Sequence, residues 1–454
     1  MSGAETRALS HRRVLRIAIP VVLSNATVPI LGAVDTGVVG QMGAAAPIGA
    51  VGIGAIVLSA VYWIFGFLRM GTTGLAAQAL GAEDRPELVA LLSRAMLIAG
   101  AAGLVLIAGQ AAIFAGAFAL SPAEPAVEEM ARAYMGIRIW SAPAAIAVYG
   151  ITGWLIAQER TAAVLVVQIA MNGANILLDL WFVLGLGWGV EGVAIATFLA
   201  EWSGAALGLW FCRDAFRLPA WRDPARVFDA VRLKRMAVVN IDILIRSVLL
   251  QATFVSFLFY GADFGTVTLA ANQVLLQFLY ITAYALDGFA FAAEALVGRF
   301  FGAGDRGLLR RAVLLTAGWG LATVTVLAAG FAMGGGWVVD VMAVDEGVRA
   351  RARDYLPWMV AAPLIGVAAW MLDGVFIGAT RTRDMRNMMV ISFAVYVVAV
   401  ALLVPVLDNH GLWAALMISF AVRGLTLGAR YPALERAAGT DGAPRVTAPT
   451  RNAP

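Results

Sequence analysis

Apolar residues in this chain come in long, nearly unbroken stretches, and the breaks between them are short, polar and rich in arginine. A helix needs about 20 apolar residues to cross the hydrocarbon core of a bilayer. Twelve stretches meet that length, at roughly 14–40, 47–78, 93–118, 128–157, 162–186, 190–212, 236–260, 266–298, 308–333, 350–379, 386–406 and 411–430. Several exceed the minimum, which predicts tilt or extension into the headgroups. The pattern defines an all-α integral membrane protein with twelve transmembrane helices.

The fifth stretch is the most informative. It reads AAVLVVQIAMNGANILLDLWFVLGL, and its polar residues Gln168, Asn172, Asn175 and Asp179 are spaced 4, 3 and 4 apart. That spacing puts them on one helical face. Lipid does not accept such a face cheaply, so it must point at protein or water. After the WGVEG turn the sixth stretch adds Thr197 and Glu201. A short turn makes the two helices antiparallel neighbours, with Asp179 and Thr197 at similar depth.

The pattern also repeats. AAQAL at 76–80 recurs as AAEAL at 292–296, and GAEDR at 81–85 recurs as GAGDR at 302–306. Tyr134 followed by Ala142-Pro143 recurs as Tyr355 followed by Ala362-Pro363, and Gly153, Arg160 and Thr161 recur as Gly374, Arg381 and Thr382. An even number of spans per half keeps both halves in one orientation, a parallel duplication of six plus six. The expected division is an N-lobe at 1–212, a linker at 213–235, a C-lobe at 236–436 and a disordered tail at 437–454.

Composition agrees and excludes much. With 61% apolar and 14% charged residues and a mean hydropathy of +0.83, the chain is far from a soluble average. The single cysteine, Cys212, forms no internal disulfide and fits no metal pattern, and His11 and His410 read as solvated. A net charge of +4 does not point to nucleic acid, because the basic residues are spread over the segments of one side. With the N-terminus inside, inner segments hold 27 of the 33 Lys and Arg, seven of them in 213–235. That bias places both termini in the cytoplasm. The polar, basic start from Met1 to Arg16 and the long first apolar run do not fit a cleavable signal peptide.

Intramembrane polar residues carry the functional reading. Asp35, in the first span, falls at the depth of Asp179 and Thr197. A buried carboxylate without a partner tends to take up a proton or bind a cation. Pro20 and Pro29 remove backbone bonds from the same span, as static kinks or as a hinge. Asp242 and Arg246, spaced i, i+4 on the seventh span, are expected to pair. On the eighth, Gln273, Gln277, Tyr280, Tyr284, Asp287 and Glu294 form a long stripe, the expected wall of a watery cavity. Asp373 on the tenth lies in the same inner half as Asp287, while Arg138 and Glu201 are possible mutual partners.

This combination resembles the multidrug and toxic compound extrusion family of secondary transporters, and within it the DNA-damage-inducible F-like branch. The resemblance spans nearly all of 10–435. It rests on the AIP opening with Asp35 fifteen residues after Pro20, on Asn175-x-x-x-Asp179, and on GVEGVAIAT ending in Thr197. DGFAFAAEALVGR and LDGVFIGATRTRD carry it in the second half. It implies two six-helix lobes forming a V-shaped cleft, and export of organic cations or other amphiphiles against inward H⁺ or Na⁺. It further implies a cation site at Asp35, Asn175, Asp179 and Thr197, with Tyr134 close by and Pro20 as the hinge. Tyr134, Gln168 and Asn172, with Gln273, Gln277, Tyr280, Asp287 and Asp373, are the residues expected to face substrate. The other main branch of the family carries a glutamate on the seventh span. Here Asp242 and Arg246 stand in that region, which favours H⁺ over Na⁺, although the four oxygen-bearing residues would also suit Na⁺.

The reading is therefore a cation-coupled antiporter of a bacterial cytoplasmic membrane, without cofactor, acting as a monomer on small amphiphilic substrates. A lipid or lipid-linked sugar flippase would want a strongly basic cavity, whereas the intramembrane balance is acidic. A membrane-embedded transferase would need clustered catalytic or metal motifs, and none is present. A channel would need a filter-like segment, which is also missing.

Overall fold

The computed structural model describes the backbone of residues 9–41, 45–120 and 123–440, without the side chains at 28, 30, 33, 35, 36, 120, 439 and 440. All regular elements among these residues are helices. They are α1 (His11–Gly40), then α2 (Ala45–Gly81), which passes through a 3₁₀ turn at Ile64–Gly66. Next comes α3 (Arg85–Ala108), continued beyond Gly109 by Gln110–Leu120. There follow α4 (Pro125–Ala157), α5 (Thr161–Gly185), α6 (Gly189–Phe211), α7 (Ala230–Ala262), α8 (Thr266–Gly302), α9 (Arg306–Met342) and α10 (Glu346–Gly378). The last run, Thr382–Thr440, is two helices, α11 (382–407) and α12 (409–440), folded at Asp408 with φ 50°.

Ten helical runs are long and apolar enough to cross a membrane. With α1 and the second arm of the folded run, the expected twelve are present. Their boundaries follow local chemistry. Side chains of Asp305 and Asp345 accept from the Leu308 and Val348 N–H groups at 2.8 and 2.9 Å and start α9 and α10, as N-caps do. Asp229 takes the Arg232 N–H at 2.8 Å, so α7 begins six residues before the apolar pattern does. The expected tail is helical through Thr440, and from 441 it lies outside the described residues.

Contacts divide the chain into two compact units, called here the N-unit (Ile19–Thr72 and Pro86–Asn240) and the C-unit (up to Ala18, Thr73–Arg85, and from Ile241 on). The division does not coincide with a cut at the linker. Residues 213–240 pack inside the N-unit, and the C-terminal end of α2, from Thr73, packs inside the C-unit.

The internal repeat explains the second of these. A Cβ added at Gly81 would stand 1.9 Å from the Arg299 carbonyl oxygen, and one at Gly302 would stand 2.1 Å from that of Gln78. Gly81 and Gly302 are repeat-related, and each meets the carbonyl three residues before the other. Only glycine lets two helices approach backbone to backbone in this way. The Gln78 amide reinforces the contact, donating to the Gly378 carbonyl at 3.0 Å and the Thr380 hydroxyl at 2.9 Å. A second repeat-related pair behaves alike: a Cβ at Gly153 would meet the Arg69 carbonyl at 2.3 Å, and one at Gly374 that of Ala290 at 2.6 Å.

The linker is docked rather than slack. It forms short turns at Arg213–Arg217, Pro219–Arg222 and Pro224–Val227. Arg94, 1% exposed on α3, donates to the Val227 carbonyl at 2.9 Å and the Arg226 carbonyl at 2.7 Å. The same guanidinium meets Glu87 at 2.7 Å, and the Ser93 hydroxyl donates to the Trp221 carbonyl at 2.7 Å. Cys212, which caps α6, is fully buried, and burial pushes its thiol up to about 12.

Two outcomes follow. Gly81→Val and Gly302→Val should each cost on the order of 1–3 kcal/mol by overpacking, read as a fall in the detergent-solubilised melting temperature. Gly318→Ala, with open space around it, should leave that temperature unchanged; equal effects would disprove the close approach. Cys212 should resist maleimide at pH 8 in the folded protein and react on unfolding, because little thiolate is present and none is accessible.

Candidate functional site

The polar face of α5 is assembled as its spacing predicts. Asp179 is 0% exposed, Asn175 2% and Asn172 4%. The Gln168 amide donates to Asn172 Oδ1 at 3.0 Å, and the Asn172 amide donates to Thr27 Oγ1 on α1 at 2.8 Å. One turn on, the Asn175 amide donates both to Asp179 Oδ2 at 3.1 Å and to Thr197 Oγ1 on α6 at 3.2 Å. The Thr197 hydroxyl donates back to the Val193 carbonyl at 3.0 Å. Helices α1, α5 and α6 are thus joined by one line of amides and hydroxyls. Directly after Asp179 the helix widens into a π-helical turn, Leu180–Gly185, a distortion frequent at functional positions.

Chemically, the face offers a carboxylate whose Oδ2 is held by an amide, a hydroxyl oxygen, and Asn175 Oδ1. The last is buried and has no hydrogen-bond partner among the described residues. An unsatisfied buried amide oxygen beside a carboxylate can accept a hard cation, and the carboxylate can accept a proton. Asp35 lies on α1, and its side chain is outside the described residues.

One turn from Thr197 along α6, the N-unit holds an ion pair. Arg138 on α4 meets Glu201 on α6 at 2.7 Å and donates to the Tyr134 hydroxyl at 2.9 Å. The Tyr62 hydroxyl donates to the Arg138 carbonyl at 3.0 Å. Tyr134 is 2% exposed in a packed core, where its hydroxyl accepts from Arg138.

In the C-unit the expected Asp242–Arg246 pair does not form. Asp242 accepts from Arg386 at 2.6 Å and from the Thr382 hydroxyl at 3.1 Å, both on α11. Arg246 instead hydrogen-bonds Asp373 on α10, and Arg423 on α12 reaches the same carboxylate oxygen at 3.3 Å. Spacing on one helix allows a pair, but neighbouring helices present partners head-on, and a buried charge takes the better geometry. Arg423, counted among the inner segments from sequence, is 3% exposed. Asp373 is accordingly neutralised by two guanidinium groups and is not an open acidic contact for a cation.

The stripe on α8 grades from exposed to buried along the helix. Gln273, Gln277 and Tyr280 are exposed, Tyr284 and Asp287 are half-buried, and Glu294 is buried. Sequence reasoning missed three features: the Arg94 clamp, Arg423, and a buried amide pair at the α11–α12 fold. There Asn272 and Asn409 exchange hydrogen bonds at 2.7 and 2.9 Å, and the Trp413 indole donates to Asn272 Oδ1 at 3.0 Å. The only hint in sequence was the DNHG turn itself.

A duplicated bundle of twelve bilayer-length helices, with a buried carboxylate–amide–hydroxyl line in one half, is the architecture of a secondary transporter. The MatE family profile matches residues 20–181 and 243–403, one stretch in each half, and the chain belongs to this multidrug and toxic compound extrusion family. It is 36% identical over 432 residues to DNA damage-inducible protein F of Escherichia coli (strain K12), covering 92% of each chain. To Protein DETOXIFICATION 44, chloroplastic, of Arabidopsis thaliana it is 25% identical over 423 residues, 90% of this chain and 80% of the relative. Its fold is that of the Vibrio cholerae MATE transporter VcmN in the bent form, with a TM-score of 0.85 at 17% identity, covering 95% and 98% of the two chains. A MOP superfamily transporter from Pyrococcus furiosus aligns with a TM-score of 0.79 at 16% identity, over 94% and 96%. The protein is a multi-pass MATE transporter.

The rearranged pairing gives a direct test. In a double-mutant cycle on thermal stability, Arg246→Gln and Asp373→Asn should couple by about 0.5–3 kcal/mol, as contacting residues do, while Arg246→Gln and Asp242→Asn should add within about 0.5 kcal/mol. Coupling in the second cycle and none in the first would restore the same-helix pair.

Proposed function

We propose that this MATE transporter is a cation-coupled antiporter that exports organic cations or other amphiphiles by alternating access, with Asp35, Asn175, Asp179 and Thr197 as its coupling-ion site. The observation that carries this is the Asn175 amide bridging Asp179 and Thr197 inside a bilayer-crossing helix. A carboxylate at 0% exposure is stable only while matched, so loading and unloading a cation there changes the energy of the surrounding helices. Pro20 is the proposed hinge: α1 passes from the C-unit to the N-unit between Ala18 and Ile19, one residue before it. The exposed Gln273, Gln277 and Tyr280, with half-buried Gln168 and Asp287 and the buried Asn172, are proposed to meet substrate. The protein works in a bacterial cytoplasmic membrane as a monomer, with both termini inside.

The favoured coupling ion is H⁺. In the C-unit, Asp242 and Asp373 are each held by arginine, so neither offers a second carboxylate to Na⁺. Protonation of the proposed site would remove buried negative charge, let α1 bend near Pro20, and release substrate from the N-unit. Na⁺ remains the second reading because of the unsatisfied Asn175 Oδ1, an oxygen that a proton would not use.

In sodium-free proteoliposomes, an outwardly directed flux of fluorescent cation should follow an imposed pH gradient. Asp35→Asn and Asp179→Asn should abolish it while the purified proteins stay folded, and Asn175→Ala should weaken ion dependence about 10–100-fold. Wild-type flux in either aspartate variant would remove that residue from the site. Flux that needs a Na⁺ gradient would replace the ion and keep the site.

A further inference from the structure

A cavity of about 370 Å³ lies within the N-unit between α3 and the docked linker. Its walls are apolar: Leu92, Met96 and Leu97 from α3 face Phe216, Trp221 and Phe228 of the linker. Arg222 stands at its edge. The volume is at the lower end of the range for small-molecule sites, and the cavity is part open to the surroundings rather than sealed. Its level along α3 is interfacial, since Leu92 is seven residues, roughly 10 Å, from the helix start at Arg85.

The linker rim combines two properties. Phe216, Leu218, Trp221 and Phe228 are exposed, Phe228 by 62%, although they lie beside a bilayer-crossing helix. Among them stand seven basic residues in 213–235, against the acids Asp214, Asp223 and Asp229. Two of those acids cap backbone N–H groups, Asp223 that of Ala225 at 3.1 Å and Asp229 that of Arg232 at 2.8 Å, and Asp214 pairs with Arg217 at 3.3 Å. Seven basic residues against three acids leave the segment net basic, and Arg222 forms no ion pair among the described residues. Exposed aromatics mixed with arginine mark the headgroup level of a membrane, and a basic juxtamembrane segment is drawn to anionic lipid.

We propose that this groove is a binding site for one anionic phospholipid of the bilayer, an acyl chain lying between α3 and the linker and the phosphate held by Arg222. The linker's rigid docking keeps the groove open: the Arg94 and Ser93 hydrogen bonds fix the backbone of Trp221, Arg226 and Val227, so the walls are in place before a chain enters. The site lies apart from the α5 cluster, and it stands or falls independently of the coupling ion.

The test is native mass spectrometry of the full chain in detergent with dioleoyl phosphatidylglycerol or dioleoyl phosphatidylcholine. The wild type should retain one phosphatidylglycerol in preference to phosphatidylcholine. Arg222→Gln should weaken phosphatidylglycerol retention roughly fivefold, the effect of about 1 kcal/mol per basic residue, and leave phosphatidylcholine unchanged. Met96→Trp should fill the groove and remove the retained lipid. Equal retention of both lipids by the wild type, or full retention by Arg222→Gln, overturns the proposal. Loss in Arg222→Gln with full retention in a folded Met96→Trp also overturns it, because the phosphate would then be held without a chain in the groove.

Discussion

Everything in this molecule depends on one constraint: inside a bilayer a polar group that is not matched by protein is not matched at all. Asp179, at 0% exposure, is where the constraint is tightest. Its helix cannot turn or slide without pulling the Asn175 amide, which holds the carboxylate, away from Thr197 on α6. That amide ties it to Thr197, while Asn172 ties the same face to Thr27. Three helices are therefore held in register by a few hydrogen bonds, each stronger for the lack of competing water.

The two units meet the constraint with different chemistry. In the N-unit, the Asn175 amide holds Asp179 and ties it to the Thr197 hydroxyl. In the C-unit, arginines hold the carboxylates: Arg386 on Asp242, and Arg246 with Arg423 on Asp373. Guanidinium stays charged at any accessible pH, so these pairs behave as fixtures. The N-unit has a fixture of its own, Arg138 with Glu201, one turn of α6 from Thr197.

What sequence could tell depended on whether the partner lay on the same helix. The α5 stripe was legible because four polar residues at helical spacing stand out against an apolar background, and the short turn to α6 fixed which neighbour Thr197 would meet. The repeat was legible from AAQAL and AAEAL, but the matched glycine contacts that it carries were not. The Asp242–Arg246 expectation failed for the same reason that the stripe succeeded: spacing shows only neighbours along one helix, and here the better partners came from α10 and α11. The roles of Arg94 and Arg423 were not legible, because hydropathy marks where the lipid begins, not which groups a charged side chain at that level meets. The Asn272–Asn409 exchange joins residues 137 apart, beyond any local signal.

The chain crosses between its two compact units four times: inside α1 at Ala18–Ile19, inside α2 at Thr72–Thr73, at the first residue of α3, and inside α7 at Asn240–Ile241. None of these crossings is a loop, and the one long connector is pinned to the N-unit. In mechanical terms the units are joined by flexures rather than by strings. Displacement of one against the other must be stored as bending or local unwinding of continuous helix, where each broken i to i−4 bond is felt. Pro20, which has no such bond to lose, marks where the first of these beams is thinnest. A cut in the backbone at 213–228 would leave all four beams whole.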